Sequence, residues 1–298
     1  MLGVAGHDER LGAVTREWAA VAHPRTGAIR KRRLAGGALC HGPVLAVGDR
    51  VVFSGRLGRH AVARSLPPSL NGPAQLVGRA DVFTASPGEP SLWLGRWRGR
   101  PGGSVLLLDE VRPSGNRLVR ARALLPREGM LHGALQRAFV VTSGRWLMVW
   151  DLFRDVPVRI GRDGWFVASA ESRFAWCRGP CRALDIWRSR GQRTLALPPG
   201  ARWLGSEGTF SPDGLELALP ISVGDRAMLA VANLRTRRWT LAPVDLGGYR
   251  TAAWSPSGRW LYFTAGDREL RAWQVGSASA VPLSLEPGGT VMSIATAG

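Results

Sequence analysis

Lysine is almost absent from this chain: Lys31 is the only one, so 39 of the 40 basic residues are arginine. Cysteine is scarce too, with three residues, too few for a disulfide framework. Cys40 stands alone. Cys177 and Cys181 enclose Arg-Gly-Pro across a turn. Two free thiols are expected there in a cytoplasmic protein, with a local disulfide as the alternative. No second cysteine pair and no histidine at ligand spacing accompanies them, which argues against zinc. No stretch approaches 18 unbroken apolar residues, so no membrane span is expected. Met1–Gly6 is a short apolar run followed at once by His7-Asp8-Glu9-Arg10. It lacks a basic leader and a cleavage site, so no signal peptide is expected and the cytoplasm is the expected location.

Motifs of common chemistry are also missing. The chain has no Gly-x-Ser-x-Gly elbow, no His-Glu-x-x-His, no phosphate-binding loop and no dinucleotide fingerprint. Its five histidines (His7, His23, His41, His60 and His132) fall near expected turns or strand ends. Asp109 and Asp151 occupy equivalent positions, but the same slot elsewhere holds His, Arg, Asn or Gln, as a turn position does and an acid–base pair does not. No catalytic residue, cofactor or metal ligand is therefore expected.

What the chain does have is a repeat. Between Tyr249 and Leu285 lie four short apolar or aromatic runs, each closed by Gly, Pro, Ser or Asp. Four strands cannot bury both faces of a sheet alone, so copies on either side are required. A run of apolar residues ending in a polar one recurs at His23, Arg64, Asp109, Asp151, Arg188, Asn233 and Gln274, at intervals of 41, 45, 42, 37, 45 and 41 residues. A preceding run recurs with it: Val51–Phe53, Leu92–Leu94, Phe139–Val141, Phe174–Trp176, Leu217–Leu219 and Leu261–Phe263. A period of about 42 is that of a four-stranded propeller blade, and about seven such units fill 298 residues. The expected fold is an all-β, seven-bladed β-propeller of four-stranded antiparallel blades in one domain, 1–298. Thr290–Ile294 resembles Arg250–Trp254, and Met1–Gly6 resembles a second strand, so a composite blade is expected to close the ring by pairing those two segments. Pro67–Arg79 and Leu197–Gly208 read as loops between blades. The 13 tryptophans suit packing between blades.

Phe210-Ser211-Pro212-Asp213-Gly214 and Trp254-Ser255-Pro256-Ser257-Gly258, each followed by an apolar strand, resemble the repeat signature of TolB-like propellers. Ala168–Ser172 and Ala46–Asp49 are degraded versions. Strict WD repeats are less similar, since Trp150-Asp151 is the one such dipeptide. The resemblance implies a propeller and, loosely, protein–protein interaction. It transfers no binding residue.

The net charge of +18 is extreme. Because it is carried by arginine alongside abundant Ala, Gly and Pro, it has the form of a compositional by-product unless it clusters. Turns joining second to third strands should share one ring face, and the segments assigned to them carry Arg10, Arg56, Arg59, Arg98, Arg100, Arg145, Arg178, Arg182, Arg226 and Arg268. Arg25, Arg112, Arg154, Arg235 and Arg237 fall on the opposite face. The leading expectation is a monomeric, non-catalytic scaffold binding a protein or peptide on one ring face. One alternative is a polyanion, nucleic acid included, held on the arginine face; the other is a lyase or hydrolase site at the channel mouth.

Overall fold

Runs such as Trp146–Asp151 (WLMVWD) and Arg226–Asn233 (RAMLAVAN) are rich in β-branched and bulky apolar residues and are bounded by Gly-containing turns. In the computed structural model they are strands, and all strand pairing is antiparallel. The described residues are 44–283, apart from 49, 68–70, 126–128, 137, 153–156, 189–190, 247–250 and 266–268, together with 10–14, 18–22, 29–33 and 293–297.

Six blades are built of consecutive strands, the first of each innermost and the last outermost. The first has Val44–Val47, Arg50–Leu57, His60–Leu66 and Gln75–Arg79. The second has Val82–Ala85, Leu92–Arg100, Gly103–Val111 and Arg117–Leu125. The third has Gly129–Leu135, Ala138–Ser143, Trp146–Asp151 and Val158–Arg162. The fourth has Gly164–Ala170, Arg173–Arg178, Ala183–Arg188 and Gly191–Ala196. In the fifth, Ala201–Trp203 and Thr209–Phe210 share the inner position, followed by Glu216–Val223, Arg226–Asn233 and Arg238–Asp245. The sixth has Ala252–Trp254, Trp260–Ala265, Glu269–Gln274 and Val281–Leu283. A further sheet joins Ser293–Ala297 to Arg10–Val14, Trp18–Ala22 and Ile29–Arg33, and its strand Ser293–Ala297 touches the inner strands of the first and sixth blades.

The expectation of a seven-bladed propeller is thereby corrected to six blades. Six blades are of consecutive strands, and the fifth carries five strands because its inner strand is interrupted. The sheet formed by both ends of the chain pairs Arg10 with Ala297 through Val14 with Ser293, not Met1–Gly6 with Thr290–Ile294. Met1–Gly6 lies outside the described residues. Three residues separate Val14 from Trp18, a hairpin length, which explains why Arg10–Val14 takes the second-strand place. Two segments expected to be loops also hold strands: Gln75–Arg79 lies within Pro67–Arg79, and Ala201–Trp203 within Leu197–Gly208.

The core lies between blades, as the spaced aromatics suggest. Trp93, Leu106 and Leu108 of the second blade pack on Phe139, Met148 and Trp150 of the third, with Trp93 edge-on to Phe139 at 4.9 Å. Val140 and Leu147 of the third pack on Phe174 and Trp176 of the fourth. Burying each such side chain stabilises the fold by about 1.5–3 kcal/mol. The Ser211–Gly214 turn closes by the means its residues suggest. Ser211 Oγ bonds Asp213 at 2.6 Å, the Leu215 amide donates to Asp213 at 2.9 Å, and Gly214 takes φ +66°.

The two free thiols expected at Cys177 and Cys181 are replaced by a disulfide, with Cα atoms 5.3 Å apart and both side chains buried. Cys181 adopts φ +46°, and its amide donates to the Arg178 carbonyl at 3.1 Å, which curls the turn back and brings the sulfurs together.

Candidate functional site

The second blade differs from the others in length. Its second, third and outer strands each run nine residues, while the inner strand has four and reaches only as far as the Val82–Gly95 pair. Residues 96–100 and their partners therefore stand beyond the inner strand, as a three-stranded extension at the ring rim. Strand alternation sorts its side chains. Leu94, Arg96 and Arg98 lie opposite Asp109, Leu107 and Val105, which in turn lie opposite Arg120, Arg122 and Leu124. All nine occupy one sheet face. Its lower part packs on the first blade, where a Cβ on Gly78 would sit 2.6 Å from Leu94. Above that contact Arg98, Arg120, Arg122 and Leu124 are exposed.

Asp109 is the one carboxylate among them. It is largely buried and sits two residues before the end of its strand, so the expectation that its slot is a turn position is corrected. Its Oδ1 accepts from Arg120 Nε at 2.8 Å and its Oδ2 from Arg96 Nη2 at 2.9 Å, with Arg117 Nη1 at 3.9 Å. Burial pushes the Asp109 carboxyl up, but the hydrogen bonds and charges of Arg120 and Arg96 outweigh this and hold it below 3.8. One carboxylate thus fixes two guanidiniums, with Arg117 near it as a third, and leaves a surplus: Arg98 and Arg122 stand on the same sheet face with no carboxylate opposite them. Arg96 and Arg120 each bond Asp109 through one nitrogen, so other N–H donors remain for a ligand.

The arginines expected on the second-to-third-strand face divide into groups. Arg56 and Arg59 flank the first blade's hairpin tip, Arg98 rises on the second, and Arg182 follows the fourth blade's turn; all four are exposed, with no carboxylate partner among the described residues. Arg145 and Arg226 are on that face but are engaged: Arg145 pairs with Asp163 at 2.6 Å and Arg226 with Asp245 at 2.8 Å. Arg178 lies over the Trp176 ring, 4.7 Å from its centroid. Arg100 ends its strand at the same rim. Arg10 begins its strand beside Ala297, at the end away from the following turn, so it belongs to the other face. Arg268 lies outside the described residues. Reading turns alone missed Arg96, Arg120 and Arg122. The signal for Arg120 and Arg122 was in the alternation of Arg117–Leu125 (RLVRARALL), where every second residue from Arg120 shares a face.

The inner strands of the third, fourth and fifth blades share a different feature. Register shifts leave His132 unpaired between Leu131 and Gly133, and Val167 unpaired between Phe166 and Ala168. In the fifth blade the excursion Leu204–Gly208 interrupts the strand at the matching level. Such bulges re-aim side chains. His132 stacks on Phe166 at 5.0 Å and its Nε2 lies 3.2 Å from Thr142 Oγ1. Burial lowers its pKa to about 4, so the ring is neutral at neutral pH. Glu207 reaches solvent yet is ringed by protein, and lost hydration pushes its carboxyl up. Among the described residues no group of three or more His, Cys, Asp or Glu side chains converges on a metal-sized site.

The chain matches no protein-family model and none of the curated proteins. Solved structures do resemble it. A periplasmic gluconolactonase from Pseudomonas aeruginosa superposes with TM-score 0.60 at 14% identity, over 97% of this chain and 99% of that one. TolB from Acinetobacter baumannii gives 0.55 at 14% identity, over 97% of this chain and 66% of its own. A lignostilbene dioxygenase from Pseudomonas brassicacearum gives 0.61 at 10% identity, over 98% and 92%. The fold is a β-propeller. At these identities the likeness extends to the fold and no further, since the neighbours include enzymes as well as TolB.

Proposed function

We propose that this propeller is an interaction module whose basic rim, centred on the second blade, binds an acidic segment of a partner protein. The observation that carries this reading is the sheet face on which Arg96 and Arg120 bond the single carboxylate of Asp109 while Arg98 and Arg122 stand further along it with no carboxylate opposite them. The exposed Arg56 and Arg59 of the neighbouring blade stand at the same rim. Guanidinium groups bind carboxylates through paired N–H donors, and Asp109 already holds two of them in place. An acidic protein segment fits better than nucleic acid because the apolar neighbours on this strand are Leu118 and Leu124, both exposed, with no exposed aromatic on the face to stack a base.

The test is a salt titration of two labelled probes of equal charge, a Glu-rich peptide and an oligothymidine. Peptide binding should fall steeply as salt rises. Replacing Arg56, Arg59, Arg98 and Arg122 by Gln should weaken it by about tenfold or more, while replacing Arg112, Arg235 and Arg237 should cost less than about twofold. Equal losses from the two sets would show that net charge alone matters. Tighter binding of the oligothymidine would replace the acidic protein by nucleic acid.

A further inference from the structure

The outer strand of the second blade has a property that its charge alone does not convey. Arg117–Leu125 is a nine-residue edge strand paired on one side with Gly103–Val111, and no strand pairs with its other side among the described residues. Over Val119–Leu125, where its pairing is regular, a row of backbone N–H and C=O groups about 23 Å long therefore lies open, and a bulge at Leu118 breaks it beyond that. The strand contains no Pro or Gly, the usual interruptions of an exposed edge. It is apolar as well as basic: Leu118, Val119 and Leu124 are exposed at 47%, 45% and 38%.

We infer that this edge accepts an extended acidic peptide as an added strand, a reading that rests on the proposed acidic partner and says how it is held. A second copy of this chain is a poor occupant, since two such strands would place guanidiniums against guanidiniums. An acidic strand has the complementary charge. Added in register over Val119–Leu125, where the strand is regular, its alternate side chains fall beside Arg120, Arg122 and Leu124, so the fitting pattern is acidic, acidic, apolar at every second position. Intervening residues lie beside Val119, Ala121 and Ala123 and should be small or β-branched. Backbone hydrogen bonds supply affinity, and Arg120 and Arg122 select the charge.

A blocked heptapeptide, Val-Thr-Glu-Thr-Glu-Thr-Val, tests this by fluorescence anisotropy against the full chain at low salt. Two derivatives carry N-methyl groups on alternate residues, one on the odd and one on the even positions. An added strand points one set of amides at the edge and the other at solvent, so one derivative should lose about tenfold in affinity and the other less than about twofold. Arg122→Glu should reject the parent peptide and accept its Glu→Lys counterpart. Arg122 is outside the Asp109 cluster, and an unchanged melting midpoint checks that this variant folds. Equal sensitivity to both methylation patterns, or to neither, would overturn strand addition while leaving the acidic-partner reading in place. If neither the heptapeptide nor a Glu-rich peptide binds at low salt, that reading falls and takes the added strand with it.

Discussion

At the rim of the second blade Asp109 is largely buried yet held in its charged form, because Arg120 and Arg96 bond it directly. On the inner strand of the third blade His132 is also drawn out of water. In the excursion that interrupts the fifth blade's inner strand, Glu207 loses hydration while still reaching solvent. Among the described residues nothing of opposite charge answers either. Both shift toward their neutral forms. Desolvation is common to the two regions, and a directly bonded counter-charge decides which way a group moves. The rim keeps its charges, with arginine in surplus. The wall sheds charge and packs an aromatic stack, His132 on Phe166, in its place.

The largest expected effect comes from breaking the rim's single counter-charge. Asp109→Ala removes the acceptor for two guanidiniums and leaves like charges facing each other across a half-buried sheet. Denaturant unfolding should show a loss of about 3 kcal/mol. A variant as stable as the parent would mean that Asp109 does not organise Arg96 and Arg120. In acid the sign follows from the lowered pKa: the contribution is full above the unfolded value and lost as pH falls through the folded one, below about pH 4.

The fourth blade sharpens the comparison, because its arginine turn is held covalently where the second blade's rim is held by charge. Cys177→Ser with Cys181→Ser should cost about 2 kcal/mol, the chain-entropy value for so short a loop. Unreduced, unfolded parent protein should titrate one thiol, that of Cys40. Three titratable thiols would rule out the disulfide.

How much of this was legible in the sequence differs between the two regions. The period of third-strand ends was readable because each blade buries the same pattern. Asp151, Arg188, Asn233 and Gln274 are indeed the last residues of their strands. The same rule misplaced Arg64 and Asp109, each of which lies two residues inside a strand that runs on, to Leu66 and to Val111. A charged residue inside a strand looks like a strand end until its partners are known, and those of Asp109, Arg96 and Arg120, lie 13 and 11 residues away on two other strands. The wall was less legible still. Bulges at His132 and Val167 are register events between strands and leave no composition to read. The closing strand was misplaced because Met1–Gly6 is the more apolar run, whereas Arg10–Val14 is the run that pairs with both Trp18–Ala22 and Ser293–Ala297.

The wall side of the comparison can be tested by pH. His132 in the folded chain titrates at about 4, below its ordinary 6.5, so the folded state binds fewer protons than the unfolded one. Its contribution is full above about pH 6.5 and is lost as pH falls toward 4. Between pH 7.5 and pH 5.5 the loss should be roughly 1.5 kcal/mol. His132→Phe keeps the stack on Phe166 and removes the titration, so its unfolding midpoint should be flatter across that range. A variant with the parent's slope would assign the pH dependence to another group.

The smallest effect, close to none, is expected where an arginine already has its own close carboxylate at the surface. Arg145 with Asp163 and Arg226 with Asp245 occupy the same ring face as Arg56, Arg59 and Arg98, and their distances of 2.6 and 2.8 Å are as short as those around Asp109. Their surroundings differ. All four side chains are at least half exposed, as is Arg162, which lies 3.9 Å from Asp163, so water and salt screen every one of these contacts. Arg145→Gln and Arg226→Gln should leave the unfolding midpoint unchanged. Because each arginine is already neutralised by its own aspartate, the double variant should also bind an acidic peptide within about twofold of the parent. Asp163→Asn with Asp245→Asn frees both guanidiniums and should, if anything, strengthen that binding. If the arginine variants instead weaken binding as much as Arg98→Gln with Arg122→Gln, matched and surplus arginines are equivalent. The rim would then extend around the whole ring face and not centre on the second blade.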